Sequence, residues 1–516
     1  MPLATQIEQP ELHREGEVQP PSAIPALARL LDDLAGTPIR FCSWKSNEHL
    51  LRALQGRTDL DLLVHEPDAT ALRIVVAEHD LKRLTPAATR DHPGMEHYLG
   101  MDPDTGRLFH LHVHTRLVLG EQHVKNHHLP MEEALLGSLA LQDGVPVPAA
   151  ALEVSILVVR ALLKYRARDV VKDIAKIRSP GLKHEVRAEL DWLLERTDAA
   201  EVRTALREAG DPIPAEIVGA FLEAYERDPR SGWVFVRLRS RLRRSLAECR
   251  RVGRSRARLR ALATGLRERR RPARMSPSGG GLTVAFVGSD GSGKSTVASE
   301  IARWWGWKVA TQVVYLGSKS PSVRARWSYV VFRAFRRGQR GAARRFGERS
   351  LPSRGVGYIR DVLLALHELA VGSDRSRRCR RGRADAAHGQ VVIFDRYPMQ
   401  GLSSSPEHRV LDGPRITRVL PEGGRLVRWL ARVEERRYAG LGLPDVVVFL
   451  GVDPAIAAIR KPDHQTESLE AKTRATEELA TLGERAGLPS MMLRVDASQP
   501  LEEVLLRVKR GLWDVV

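Results

Sequence analysis

The stretch that decides the fold is Thr283-Val-Ala-Phe-Val287-Gly288-Ser-Asp290-Gly291-Ser292-Gly293-Lys294-Ser295-Thr296, continued by Val297-Ala-Ser-Glu-Ile-Ala-Arg303. Thr283 to Val287 is a short apolar run of β-branched and aromatic residues, the signature of a buried strand. The residues from Thr296 onward carry a helical pattern. Between them Gly288 to Ser295 fits G-x-x-x-x-G-K-[ST], a turn that wraps a polyphosphate. Glycines there let backbone N–H groups approach phosphate oxygens that a Cβ would crowd, and the helix N-terminus adds a positive dipole end. Gly288, Asp290, Gly291, Ser292, Gly293, Lys294, Ser295 and Thr296 are therefore the expected nucleotide-binding residues. In this arrangement Lys294 bridges the β- and γ-phosphates and the Ser295 hydroxyl helps hold Mg²⁺.

Two later segments extend a nucleotide site toward phosphoryl transfer. Val391-Val-Ile-Phe-Asp395-Arg396-Tyr397-Pro398 is a strand ending in an acid and a base, and ligands of open α/β sheets gather at the carboxyl ends of strands. Asp395 is placed to position Mg²⁺ or accept a proton, and Arg396 to clamp an incoming phosphate. Pro444-Asp-Val-Val-Val-Phe-Leu450-Gly-Val-Asp453-Pro454 is a second such strand, followed by a helix with Arg460 and Lys461 and the polar stretch Pro462 to Glu467. Basic residues there suit a lid that neutralises charge developing on the transferred group.

The order and spacing of these three motifs resemble the thymidylate kinase family of P-loop nucleotide kinases, from about Leu282 to Val516. The resemblance implies a parallel-sheet α/β kinase domain using ATP and Mg²⁺. Lys294, Asp395, Arg396 and Arg460 would be its catalytic residues, Ser295 and Asp395 its metal ligands, and Asp290 would face the acceptor. Departures lie on the acceptor side. Tyr315-Leu-Gly-Ser-Lys-Ser320 stands where the family has an Arg-Glu-Pro-Gly type segment. Pro398-Met-Gln-Gly-Leu-Ser-Ser-Ser405 replaces the base-side segment, and Arg324 to Arg354 is an arginine-rich insertion. The expected acceptor is therefore a small molecule other than thymidylate, a nucleoside monophosphate or a sugar or phosphosugar.

In front of this domain, Thr58-Asp59-Leu60-Asp61-Leu62-Leu63-Val64 puts two carboxylates two residues apart on a strand. Acids so spaced share a face and can hold a divalent metal. With Lys45-Ser46 upstream and Lys164 to Asp169 downstream, residues 35 to 180 resemble the nucleotidyltransferase fold, which implies Asp59 and Asp61 as metal ligands. The strand expected to carry a third acid has none. It reads Phe109-His110-Leu-His112-Val-His114, three histidines on one face, of which two successive ones can approach one metal. The domain therefore binds a nucleotide or phosphosugar without transferring it, or uses a histidine-based chemistry.

The chain of 516 residues is too long for one core. The expected organisation is a disordered leader over 1–22, an α+β domain over 23–149, an α-helical middle over 150–270 with a long amphipathic helix or helix pair from Val236 to Arg270, a Pro/Gly/Ser linker over 271–281, and the kinase-like domain over 282–516. Apolar residues are 43% and charged residues 28%, a soluble composition. Val154 to Leu163, the best apolar run, is interrupted by Arg160 and is too short to cross a bilayer. Met1 to Gln19 lacks the apolar stretch of a signal peptide. Three scattered cysteines with no C-x-x-C spacing suit a reducing cytoplasm.

The net charge of +19 is concentrated. Arg237 to Arg274 holds 16 arginines against two acids, Arg324 to Arg354 ten against one, and Arg375 to Arg383 six against none. Such segments bind nucleic acid, anionic lipid or polyphosphate, or are solvated helix faces. Three functions follow. The first is an ATP- and Mg²⁺-dependent kinase with a small-molecule acceptor. The second is a nucleotidyltransferase working through Asp59 and Asp61 with the P-loop domain regulatory. The third is an ATP-gated switch that binds nucleic acid or a membrane surface through its arginines.

Overall fold

A computed structural model describes residues 23–88, 90–120, 124–174, 181–210, 213–253, 255–256, 259, 263–264, 274–317, 323–346, 351–403, 405, 407, 411–462, 465–486 and 491–516. The leader over 1–22 and the first residues of the expected linker, 271–273, lie outside them, as do parts of the Arg324 to Arg354 segment. The chain divides into two compact units, Met1–Ser278 and Gly279–Val516.

In the first unit, β1 (Phe41–Ser43), β2 (Leu60–Val64), β3 (Lys82–Thr85), β4 (Met95–Met101) and β5 (Leu108–His114) form a sheet in the order β1-β2-β5-β4-β3, extended by Ser276–Pro277 pairing with β3. Only β2 and β5 run parallel, and their register sets Asp61 opposite His112 and Leu63 opposite His114. Strand alternation then sorts the side chains. Leu60, Leu62, Val64, Phe109, Leu111 and Val113 enter one core, together with Leu27, Leu30 and Leu34 of α1 (Pro25–Ala35). That helix starts with Pro25, whose missing N–H has no intrahelical partner to lose, and stops at Gly36. Asp61, Leu63, His110, His112 and His114 take the opposite face.

On that face lies the second core, where Cys42, Trp44 and Leu63 meet α2 (Ala150–Lys164) through Leu152, Ile156, Val159 and Leu162. The helices His184–Leu194, Ala199–Glu208, Ala215–Arg227 and Gly232–Ser245 complete it. The sheet and the helical middle thus meet in this core, where the helices cover the apolar side chains of that face. Of the long helix or helix pair expected from Val236 to Arg270, a first helix ends at Ser245, residues 255–256, 259 and 263–264 are again helical, and the other residues from 254 to 270 lie outside the described residues. Past Ser245, the His128 amide donates to Cys249 O and the Arg251 amide to Asn126 O, which turns the chain along Asn126–His128.

The second unit is a five-stranded, all-parallel sheet of β6 (Leu282–Gly288), β7 (Thr311–Tyr315), β8 (Val391–Asp395), β9 (Val446–Gly451) and β10 (Met491–Asp496), ordered β7-β8-β6-β9-β10. The three runs expected to be buried strands are the three central ones, and their residues are almost wholly buried. The unit is the mixed α/β, parallel-sheet architecture anticipated from the sequence. α3 (Lys294–Gly306) follows β6 directly. Between β7 and β8 run two long helices packed on each other, α4 (Val323–Phe346) and α5 (Leu351–Ala387). Of the six arginines from Arg375 to Arg383, three turn inward. Arg375 donates to Tyr438 Oη and Asp412 O, Arg378 to Tyr315 O, and Arg383 to Tyr397 Oη and Leu443 O. Half of that segment is structural, and Arg377, Arg380 and Arg381 remain exposed.

Candidate functional site

The seven buried residues of β6 deliver the chain to the sheet edge at Gly288. Gly291 and Gly293 then take positive φ angles of 87° and 81°, which only glycine adopts without strain, and α3 begins at Lys294. At Gly291 a Cβ would also stand 2.9 Å from Ala457 O, so the turn is held tight against α6 (Pro454–Arg460). The Lys294 side chain is buried and folds back over the loop. Its ammonium donates to Gly288 O at 2.8 Å and Ser289 O at 2.5 Å. Burial pushes Lys294 down to about 8, aided by Arg396 and opposed by Asp412, Asp290 and Asp395.

The central pairing of β6 with β8 sets Phe286 beside Asp395 and brings that carboxylate to the start of α3. Ser295 Oγ donates to Asp395 Oδ2 at 2.7 Å. Asp395 is 4% exposed, and its other oxygen is buried without a hydrogen-bond partner among the described residues, as are Ser289 Oγ and Ser292 Oγ. A hydroxyl and a carboxylate side by side, with a carboxylate oxygen to spare, fit a hard oxygen-seeking cation such as Mg²⁺. Thr296, next in sequence, is exposed.

Arg396, at φ 68°, turns back toward the loop. It donates to Asp290 Oδ1 at 3.3 Å and lies 3.8 Å from Asp412 Oδ2. The other oxygen of Asp290 takes Lys472, from α7 (Thr466–Arg485). Burial would raise the Asp290 carboxyl, but Lys472, Lys294 and Arg396 hold it at about 2. Arg460, at the end of α6, donates to Ala497 O at 2.9 Å and Gly291 O at 3.4 Å. Lys461 is exposed, and 463–464 of the expected lid lie outside the described residues. The structure thus gathers Asp290, Lys294, Ser295, Asp395, Arg396 and Arg460 around one turn. Lys472 and Asp412 belong with them and were not anticipated. Nothing in the charged pattern of Thr466 to Arg485 marks Lys472 apart from its neighbours.

Asp59 and Asp61 lie in the first unit, each with its own partners. Asp59 precedes β2 and sits 2.9 Å from His110 Nδ1. Asp61 Oδ1 lies 2.8 Å from Lys45 Nζ, 2.8 Å from His112 Nδ1 and 3.6 Å from His114 Nε2. Burial opposes its ionisation, yet Lys45, His112 and His114 hold it well below the usual carboxylate range. Burial in turn keeps the imidazoles from protonating, His114 down to about 4 and His97 to about 2. Around them Lys125 is pushed down to about 7 and Lys164 to about 8, by burial first. Lys45 and Arg160 repel both of these lysines, and Lys164 adds to the repulsion on Lys125.

No family model matches the chain. Among curated proteins it is similar to an uncharacterized ATP-binding protein, YghS of Escherichia coli strain K12, at 29% identity over 233 residues, which are 44% of this chain and 91% of that one. A second ATP-binding protein of the same strain, YghR, is 26% identical over 231 residues, 44% of this chain and 86% of that one. The thymidylate kinase of Leifsonia xyli subsp. xyli is 28% identical over 235 residues, 44% of this chain and 93% of that one. Among solved structures the deoxyadenosine kinase of M. mycoides with bound dATP covers 45% of this chain and 98% of its own at 14% identity and a TM-score of 0.27.

Proposed function

We propose that the second unit is an ATP- and Mg²⁺-dependent phosphotransferase that moves the γ-phosphoryl group to a small phosphorylated acceptor. The observation that carries this reading is the Ser295–Asp395 pair, set beside the buried Lys294 at a glycine turn opening a helix. The similarity to two ATP-binding proteins and a thymidylate kinase, over spans about the length of the second unit, supports it. In this reading Lys294 leaves the Gly288 and Ser289 carbonyls for the β- and γ-phosphates, and the freed backbone of the turn closes around them. Ser295 and Asp395 would hold Mg²⁺, which would supply positive charge against the phosphates. Arg396 and Lys472, fixed from behind by Asp290, clamp the acceptor. Arg460 approaches from the lid helix to meet charge that builds during transfer.

Asp290, held at about 2, is a poor proton acceptor near neutrality. An acceptor arriving as an ionised phosphate needs no base, whereas a hydroxyl does. With Asp395 engaged by Ser295 and assigned to the cation, the site in this reading favours a nucleoside monophosphate or a phosphosugar over a free sugar. The first unit, with Lys45, Lys125, Arg160 and Lys164 mutually repelling, is assigned to holding an anionic ligand.

Incubation with γ-labelled ATP and a panel of nucleoside monophosphates, sugars and sugar phosphates tests this reading. Label is expected on a phosphorylated acceptor, lost in Lys294→Ala and retained in Asp59→Ala/Asp61→Ala. Pyrophosphate release with the opposite mutant pattern would instead establish the nucleotidyltransferase reading.

A further inference from the structure

The first unit contains a convergence of donor atoms that the kinase reading leaves unused. β2 and β5 are parallel neighbours, and their register puts Asp61 directly opposite His112. The two-residue repeat of a strand puts His114 on the same face. One donor atom from each of Asp61, His112 and His114 lies within 4.8 Å of the others. Asp61 Oδ1 is held only by the Lys45 ammonium and the two imidazoles, while His112 Nε2 and both ring nitrogens of His114 are buried with no hydrogen-bond partner of proper alignment among the described residues. The side chain of His114 is 1% exposed and those of Asp61 and His112 are 13% and 14% exposed. A buried imidazole with neither nitrogen bonded is costly.

The surroundings hold the rings in place. His97 stacks on His112 at 4.5 Å between centroids, and the edge of Trp44 meets His114 at 5.0 Å. Both are packing contacts that fix ring orientation without consuming the donor atoms at the centre.

We propose that Asp61, His112 and His114 form a binding site for a zinc-class divalent transition metal ion. Two imidazoles two residues apart on one strand, with a carboxylate from the next, are a borderline-soft donor set that suits zinc, cobalt or nickel. Magnesium asks for oxygen ligands only. Three protein ligands leave one position of a tetrahedral ion open for water or an anionic ligand. Asp59 is not a ligand, because its carboxylate is drawn to His110. The Lys45 ammonium, 2.8 Å from Asp61 Oδ1, occupies the place of a competing cation and gives way when the ion enters.

The test uses the full-length chain and the metals alone. Zn²⁺ is titrated in competition with a chromophoric chelator, and Co²⁺ is followed by its visible d–d absorption. One Zn²⁺ per chain is expected to be lost, with affinity falling at least tenfold, in Asp61→Asn, His112→Ala and His114→Ala. Millimolar Mg²⁺ should not displace it. Lys45→Ala should tighten it, and His97→Ala, which removes a stacking partner but no donor, should retain the full Co²⁺ spectrum. Far-UV circular dichroism of each variant separates metal loss from misfolding. Unchanged Zn²⁺ affinity in folded His112→Ala and His114→Ala, or equal displacement by Mg²⁺, would overturn the proposal.

Discussion

Replacing Lys294 by alanine separates a structural lysine from one that waits for phosphate. Within the turn the ammonium makes two hydrogen bonds, to Gly288 O and Ser289 O. Bonds from a charged donor contribute about 1.5–3 kcal/mol each. Against them stands burial of the charge, which lowers Lys294 from 10.5 to about 8, a penalty of about 3 kcal/mol at the usual conversion. The terms largely offset, so the variant should lose no more than about 3 kcal/mol and stay folded. With a triphosphate bound the balance differs, because the ammonium then meets charge that increases during transfer. Losing one such contact costs about 10²- to 10³-fold in turnover. The assay pairs a thermal melt with ATP retention and turnover of γ-labelled ATP. The pH dependence gives a second readout. Binding needs the ammonium, and burial, with Arg396 beside it, lowers Lys294 to about 8. Wild-type ATP retention should therefore weaken as pH rises past about 8, and Lys294→Ala should lack that limb. A variant that melts normally and still holds and turns over ATP at the wild-type level would refute the idea that this turn cups a triphosphate.

Ser295→Ala leaves Asp395 Oδ2 without its hydroxyl partner and removes one oxygen from the cation site; the Mg²⁺ concentration for half-maximal turnover should rise about tenfold with one fewer ligand, and an unchanged Mg²⁺ titration would count against that site. Asp290→Asn should destabilise the second unit at pH 7. The wild-type carboxyl is held at about 2 against an ordinary 3.8, so its contribution is present above pH 3.8 and lost as pH falls toward 2. After allowance for solvent screening this is about 1–1.5 kcal/mol, read by urea unfolding at pH 7 and pH 3, where the gap between the two proteins should narrow at the lower pH. On α4, Trp327, Tyr329, Val330 and Phe335 are exposed beside Arg326, Arg333, Arg336 and Arg337. Retention on phosphatidylserine vesicles that fades with salt is expected, about tenfold weaker in Trp327→Ala/Phe335→Ala; retention on nucleic acid but not vesicles would reassign that face.

The central strands of the second unit were legible because burial on both faces leaves an uninterrupted apolar run. β7 and β10 were not. Thr311-Gln-Val-Val-Tyr315 and Met491-Met-Leu-Arg-Val-Asp496 are edge strands with half-exposed residues, and polar side chains break the signal. The phosphate turn was legible because its glycines are forced by backbone geometry, a local property. Lys472 and Asp412 were not, since which charge on a helix or loop faces a turn more than a hundred residues away depends on packing. The histidine alternation on β5 was visible in the chain, but its pairing with Asp61 required the register of β2. The break after Ser245 could not be placed from the chain alone, because leucines continue at helical spacing through Leu246, while the stop comes from pairing of Arg250 and Arg251 with Asn126 and His127.

The Ser295–Asp395 contact exists only because β8 is aligned with β6 at one setting, Phe286 beside Asp395. Dropping or adding one residue within Val391–Asp395 would advance that carboxylate by about 3.3 Å and swing it to the far side of the sheet. Length changes at this strand should therefore be intolerable even where every remaining side chain is apolar.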